Sequence, residues 1–564
     1  TGMKSGQKPQ FNEDRTLVLV LDGEIYNYHG LRKELEGKGH YFHTDSDAET
    51  ILHLYEEKGV NFLNELQGVF SLALWDKNTN RLLLARDRLG IKPLYYASDG
   101  YRLIFASEIR AIFQDNTVAK ELNPQGVADY FRYLYIPAPK TVFLGIYKIP
   151  PGYYLLCSPA GYTVKKYWDL DFSPRPEEGS FEQCQYALLD LLQEAIHCRL
   201  PASGPPAGLF LSGGIGSAAL LCLAHKGGVP LCAHTIGFEE PDLDERPFSR
   251  TLTRYFQTSC QEWVLSPKGM LAQLDHLAFC YDEPIGDATA VLTFELARLA
   301  GQHTRVALSG EAGDGNFAPF RCQRLPLWGT RFQKITSKDA AHLRPASSAQ
   351  EYLESIACFS FDGIQRLLNE DFYHDLCGYD PSVLFQDLYR KTQSLDPLSR
   401  RQYIGMKTYL PDNVLTQIDR ASMANSLQVQ LPLLDHRLIE FLSRTPIHFK
   451  DNGSQESSLL KKALKGALPS DILARKKQKA ELPLGAWFTG EWRLEGEKYL
   501  WEQHLSSLSG VLNFDEISSL WHRHQQRRQD YSRQIWAVLF FQRWYHRHMA
   551  RPGDRAEDLV LALS

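Results

Sequence analysis

Leu209-Phe-Leu-Ser-Gly-Gly-Ile-Gly-Ser217 decides how this chain is read. An apolar run opens into a Ser-Gly-Gly turn, and an Ala/Leu-rich stretch from Ala218 to His225 follows it. Strand, glycine turn and helix in that order present unpaired backbone N–H groups and the positive end of a helix to an anion. The pattern is that of a phosphate cradle.

Working outward, strands and helices alternate. The periodicity predicts helix 181–198, strand 208–212, helix 217–226, strand 231–236, helix 245–256, strand 261–264, helix 288–301 and strand 305–308. Such alternation implies a parallel sheet whose ligands sit at the carboxyl ends of its strands. Upstream the chain is richer in strands. Residues 17–21 read as a buried strand ended by an Asp22-Gly23 turn, with helices at 29–36 and 49–57. A hairpin joins Val69–Trp75 to Arg81–Ala85, and further strands fall at Pro93–Ala97, Leu103–Ala106 and Tyr153–Cys157. Asp169 to Gly179, with Pro, Gly and Glu, reads as a linker. From about 345 the pattern is largely helical, ending in an amphipathic helix near 530–547 that sets Trp536, Leu539, Phe540 and Trp544 on one face.

At 564 residues the chain exceeds what one core accommodates, and several domains are expected. An apolar share of 43% and a formal charge of −5 place it among globular proteins and give no reason to expect nucleic acid or an acidic membrane as partner. Its ten cysteines lack C-x-x-C spacing and read as reduced thiols of a cytoplasmic protein. No apolar run reaches spanning length. Thr1-Gly2 reads as an artificial leader, with Met3 as the natural start.

The second half concentrates its chemistry at strand ends. Leu211, Ser212, Gly213, Gly214 and Ser217 would hold phosphate oxygens. Ile236 and Gly237, in Thr235-Ile-Gly-Phe238, close a strand where an adenine could lie. Asp282-Glu-Pro-Ile-Gly-Asp287 and Ser309-Gly-Glu-Ala-Gly-Asp314 supply carboxylates suited to Mg²⁺ or to orienting a substrate amine. The His-x-His at 522 and 524 lacks further ligands at matching spacing and reads as surface. Arg86 and Arg88 read as structural, tied to backbone or carboxylates.

Taken together, these motifs resemble the glutamine-dependent asparagine synthetase family over essentially the whole chain. The resemblance also rests on Asp22-Gly-Glu-Ile-Tyr-Asn27, Ser46-Asp-Ala-Glu49, Ala85-Arg-Asp-Arg-Leu-Gly-Ile-Lys-Pro-Leu-Tyr-Tyr96, Phe105-Ala-Ser-Glu-Ile109, Asp419-Arg-Ala-Ser-Met423 and Pro432-Leu-Leu-Asp-His436. It implies an α+β N-terminal-nucleophile domain of the class II glutamine amidotransferase type over 3–168, truncated at its start. A linker at 169–180 and an α/β ATP-pyrophosphatase (adenine nucleotide α-hydrolase-like) domain over 181–550 would follow. It implies ATP and Mg²⁺ as cofactors and an acyl-adenylate attacked by ammonia. Glu311 and Lys461 would be catalytic, Gly310 would join the ATP-binding set, Asp314 would bind metal and Asp287 would bind substrate. Asp22, Gly23, Glu24 and Asp47 would form a vestigial glutamine site.

Several positions depart from the family's pattern. The N-terminal cysteine nucleophile is absent, Cys157 being the first cysteine. Asp22 stands where the family has Asn, and a carboxylate has no N–H to offer a developing oxyanion. Gly216 replaces the aspartate that ligates Mg²⁺, which weakens that site; alternatively the loop binds phosphate through backbone alone. Ser457 falls under a family lysine, with Lys461 nearby. Gln428 and Gln430 replace Glu and Arg, and Lys479-Ala-Glu481 replaces a Gly-Phe pair. Three readings stay open. One is an AMP-forming amide ligase without its own glutaminase, acting on a small-molecule acid. The second is a catalytically silent binding or assembly subunit, as a homodimer or paired with an active paralogue. The third is a full synthetase whose first segment is missing from this sequence.

Overall fold

Nine residues, Leu17–Ile25, form strand β2, its buried and half-exposed side chains alternating over the first part. In the computed structural model residues 9–173, 180–200, 205–311, 313, 349–450, 458–475, 482–501 and 508–549 are described. The Asp22-Gly23 pair is no turn: β2 runs through it and pairs antiparallel with β3 (Gly68–Asp76) from Leu17↔Asp76 to Ile25↔Gly68. With β1 (Gln10–Phe11), β4 (Arg81–Arg86), β8 (Tyr153–Ser158) and β9 (Gly161–Lys166) these make a six-stranded antiparallel sheet, order β1-β2-β3-β4-β8-β9. Helices Tyr28–Gly37 and Asp47–Lys58 pack on it through Leu31, Leu35, Ile51, Leu52 and Leu54. A smaller sheet, order β6-β5-β7, joins β5 (Tyr95–Ser98), β6 (Leu103–Ala106) and β7 (Ile146–Lys148).

The second half carries a parallel sheet of order β12-β11-β10-β13-β14, from β10 (Ala207–Phe210), β11 (Leu231–Phe238), β12 (Ser259–Leu265), β13 (Val306–Ser309) and β14 (Gln428–Gln430). Strand alternation divides its side chains between two cores. Leu209, Ala233 and Leu308 face one, Phe210, Phe238 and Ala307 the other, as a sheet covered on both faces requires. Chain direction splits at β10, with β11 and β12 to one side and β13 and β14 to the other. The switch point between β10 and β13 is where such sheets bind ligands.

The largest core does not respect the domain boundary read from sequence. Val127, Tyr130, Phe131 and Phe143 of the first half share it with Tyr281, Phe294, Trp536 and Trp544 of the second. The helix Ser532–Met549 buries the aromatic face expected of it, with Trp536, Leu539, Phe540 and Trp544 each at most 1% exposed. Tyr130 Oη donates to its Ala537 carbonyl at 2.8 Å. Nor is Asp169, the first linker residue, loose. Its carboxylate meets Lys166, Lys391 and Lys407 at 2.8–2.9 Å, and Leu170 and Phe172 are buried. Residues 174–179 of that linker lie outside the described residues.

Candidate functional site

The turn after β10 is built for close backbone approach. Gly213 has φ +71°, a conformation that L side chains rarely adopt, and a Cβ there would stand 2.4 Å from Phe248 Cβ. Helix Ile215–Lys226 follows, with no side-chain cap on its Gly214 N-cap. Its first intrahelical bond is Ala218 N–H to Gly214 O at 3.0 Å, so the N–H groups of Ile215, Gly216 and Ser217 precede the ladder at the positive helix end. Ser217 Oγ donates to Gly214 O at 3.1 Å and lies 3.4 Å from Ser212 N and Oγ. The serines brace the turn on itself.

Register brings the second loop alongside, because Phe210 pairs with Ser309. Ser309 Oγ accepts the Glu311 N–H at 3.1 Å, turning the chain so that the Glu311 side chain is exposed. Gly310 lies against the helix start, where a Cβ would come within 2.7 Å of Ser217 N. Gly216 is hemmed in by the same contact. A Cβ on it would meet Leu433 Cδ1 at 3.1 Å and Gly310 O at 3.2 Å. Asp314, Ser457 and Lys479–Glu481 lie outside the described residues.

A cation absent from the sequence reading sits on this loop. Arg475 Nη1 donates to Ser212 O at 3.2 Å, its Nη2 pairs with Glu245 Oε1 at 2.5 Å, and its guanidinium lies 4.0 Å over the Phe248 ring. Lys461, expected to reach in, instead donates to the Arg475 carbonyl at 3.0 Å from helix Ser458–Ala463. It stands behind the arginine. Arg475 opens the basic run Arg475-Lys-Lys-Gln-Lys479, whose charge alone names no partner; only the fold brings the arginine to the turn.

On β11, Ile236 and Phe238 face the larger core. Gly237 faces the other way, toward the start of helix Arg246–Phe256, and its Cβ position is filled. Asp244 Oδ1 would be 2.2 Å away and Arg246 Nε 2.5 Å, the two being paired at 2.7 Å. His234, one turn of pleat earlier, is buried and stacked 5.7 Å from Trp263, and burial pushes its pKa down to about 4. Asp287 is buried and engaged: Oδ1 accepts from Thr289 N and Oγ1 at 3.1 and 2.8 Å, and Oδ2 from Asn413 Nδ2 at 3.1 Å. Its carboxylate positions the start of helix Thr289–Gly301.

Of the residues expected to form a vestigial glutamine site, Asp22 and Glu24 lie toward the second domain, while Gly23 and Asp47 contact the first. Asp22 Oδ1 is 3.8 Å from Lys92 Nζ, which also pairs with Asp419 at 3.0 Å. Glu24 Oε2 accepts from Gln430 Nε2 at 2.7 Å, and Gln430 Oε1 accepts from Tyr26 Oη at 2.8 Å. Asp47 Oδ2 accepts the Ile25 N–H at 3.0 Å, and burial, the largest influence, raises its pKa. Gly23 packs against β3, its Cβ position 2.0 Å from Val69 O. Arg86 donates to the carbonyls of Gly90, Lys92 and Ile149, and Arg88 to those of Asn64 and Leu66, a structural role for both. The surface expectation holds for His522 but not for His524, which is fully buried and accepts the Tyr531 N–H at 3.2 Å. No helix among the described residues is long and apolar enough to cross a membrane.

Comparison with known proteins agrees with this two-part geometry. A model of the asparagine synthase family matches residues 187–546, and one of the glutamine amidotransferase domain matches residues 1–168. The chain is 29% identical over 565 residues to asparagine synthetase (glutamine-hydrolyzing) 1 of Bacillus subtilis, a match covering 96% of this chain and 87% of that one. It is 31% identical over 479 residues to asparagine synthetase (glutamine-hydrolyzing) 3 of the same organism, covering 82% and 75%. With the asparagine synthase model covering its second half and the glutamine amidotransferase model its first, this chain belongs to the asparagine synthase family.

Proposed function

We propose that this chain is an ATP-dependent, AMP-forming carbon–nitrogen ligase that activates a small-molecule acid as its acyl-adenylate and does not draw ammonia from its own glutamine site. The observation that carries the reading is the Ser212–Ser217 turn, its helix N-terminus without a side-chain cap, with the backbone of Gly310 alongside and Arg475 lying on it. Backbone N–H groups, the helix end and a guanidinium together suit a polyphosphate. Glu311, exposed beside the turn, would take the proton of the attacking amine. Asp287, fixed by Thr289 and Asn413, would orient the acid's polar groups.

The residues fit ATP better than they fit a magnesium ion at the usual point. Gly216 supplies no carboxylate, and Leu433 and Gly310 crowd the space where one would begin. Magnesium bound to the nucleotide would screen phosphate charge; among the described residues the side chain supplying positive charge at the turn is Arg475. Asp22, a carboxylate without a donor hydrogen, supports the loss of glutaminase action. The test measures pyrophosphate and AMP release with a panel of carboxylic acids, supplying ammonium or glutamine in turn. Release with ammonium but not glutamine is expected. Release driven equally by glutamine would refute the amine-source half. No release with any acid, together with no ATP binding by calorimetry, would favour a silent binding subunit.

A further inference from the structure

Far from the phosphate turn, three ligand-type atoms converge in the first domain. His53 and Glu56 sit at i and i+3 on helix Asp47–Lys58, hence on one face. His40 approaches from the segment after helix Tyr28–Gly37. His40 Nδ1 and His53 Nδ1 are 3.1 Å apart, His53 Nδ1 and Glu56 Oε2 3.1 Å, and His40 Nδ1 and Glu56 Oε2 3.6 Å. Glu13 Oε1 stands 3.8 Å from His53 Nδ1.

A tetrahedral ion with metal–ligand bonds of about 2.0–2.1 Å sets its ligand atoms roughly 3.3 Å apart. The three separations bracket that edge. The far side of each ring is also arranged for metal. His40 Nε2 faces Glu57 Oε1 at 3.2 Å, and His53 Nε2, buried and without a hydrogen bond, points toward Glu49 Oε1 at 3.9 Å. The carboxylate hydrogen-bonded behind His40 favours its tautomer with hydrogen on Nε2 and a lone pair on Nδ1, and Glu49, 3.9 Å from His53 Nε2, favours the same tautomer there through charge alone. Glu49 is itself fixed, accepting the N–H groups of His43 and Thr44 at 2.7 and 2.6 Å. With hydrogen on Nε2 of both rings, two lone pairs face each other 3.1 Å apart beside a carboxylate, a contact that a bound cation relieves. A proton serves one pair of atoms only. A divalent ion serves all three.

We propose that His40, His53 and Glu56 form a zinc site, with Glu13 reaching the fourth position, that staples the His40–Ser46 segment to the helix bearing Asp47. Two imidazoles with carboxylates select zinc over magnesium, which prefers all-oxygen octahedral surroundings. The ion enters from the Glu13 side, where that carboxylate is 42% exposed against 1% for His53.

The full chain is stripped with chelator and titrated with Zn²⁺ by calorimetry, then with Co²⁺ followed by visible absorption. Expected are one tight equivalent per chain, the strong ligand-field bands of four-coordinate cobalt and a raised unfolding temperature. Glu57→Gln should weaken Zn²⁺ by about 10–100-fold by removing the carboxylate behind His40. His40→Gln should abolish the tight equivalent, with folding checked by circular dichroism. Should His40→Gln fail to fold, the Glu57→Gln affinity decides. Absence of a saturable equivalent, an octahedral cobalt spectrum, or unchanged affinity in both variants overturns the site and leaves a shared proton between the two rings.

Discussion

Replacing Gly216 by aspartate tests whether the phosphate turn has lost a metal ligand or never needed one. In helix Ile215–Lys226 an aspartate or asparagine in place of glycine gains about 0.3 kcal/mol of helix propensity. A carboxylate in the first turn adds about 0.3–1 kcal/mol through the helix dipole. Against this, the new Cβ lies 3.1 Å from Leu433 Cδ1 and 3.2 Å from Gly310 O. Leu433 is fully buried and Gly310 O is backbone, so making room costs about 1–2 kcal/mol, at the lower end for an overpacked core. The terms partly cancel. Gly216→Asp and Gly216→Asn should both fold with stability within about 2 kcal/mol of the parent, the aspartate losing less, measured by urea unfolding. Calorimetry of ATP with and without Mg²⁺ then separates them. The aspartate variant should gain at least about tenfold in magnesium-dependent ATP affinity, or 1.4 kcal/mol. The asparagine variant, equal in size and uncharged, should gain nothing. Equal responses from the two variants, or a parent that already binds ATP tightly only with magnesium, would refute the reasoning.

Arg475→Met should weaken ATP by about 10–100-fold, the size of a charge-assisted hydrogen bond, while Glu245→Gln, which removes the competing partner at 2.5 Å, should tighten it; calorimetry reads both. Burial alone raises the Asp169 pKa, but Lys407, Lys166 and Lys391 outweigh it and hold the carboxyl well below the usual range. A depressed folded pKa stabilises above the unfolded value near 4 and is lost as pH falls below it; Asp169→Asn should therefore cost about 2 kcal/mol at neutral pH, less than a fully buried pair would, with the difference shrinking in acid unfolding series. Gln430→Glu puts a second carboxylate where Nε2 now donates to Glu24 at 2.7 Å and should lower stability in urea by about 1–3 kcal/mol, an effect that acid relieves as one carboxyl takes a proton.

The parallel sheet was legible because its central strands are short apolar runs closed by glycine or serine, a pattern that only burial on both faces explains. β14 was not. Gln428-Val-Gln430 has neither the length nor the apolarity of a strand, and it becomes one because Val306–Leu308 offers it a parallel edge. Asp22-Gly23 misled for the opposite reason. Its composition is that of a turn, yet β3 pairs with it residue by residue and continues the strand. Asp169 read as linker because its partners Lys391 and Lys407 are remote in sequence and adjacent only in the fold. At the site, the glycine turn and the Ser309 loop were visible as motifs, since their backbone demands fix residue types. Arg475 was invisible, its role depending on where helix Ser470–Ala474 ends.

The positions read as departures from the family's pattern are packed and paired in this fold. Beside Gly216 stand Leu433 and Gly310. Around Gln430, Tyr26 donates a hydrogen to the amide oxygen while the amide nitrogen donates to Glu24. An arginine there could serve Glu24 but could not accept from a tyrosine hydroxyl, having no acceptor. The glutamine therefore satisfies two partners on the first domain from the edge strand of the second and acts as an interdomain strut. Asp22 does likewise through Lys92 and Asp419. A single reversion at such a position must displace what has replaced the old chemistry, so its effect on activity is set by the neighbours as much as by the residue restored. That is why the Gly216 test compares two isosteric side chains rather than one variant with the parent: the crowding from Leu433 and Gly310 is common to both, and what remains between them is charge.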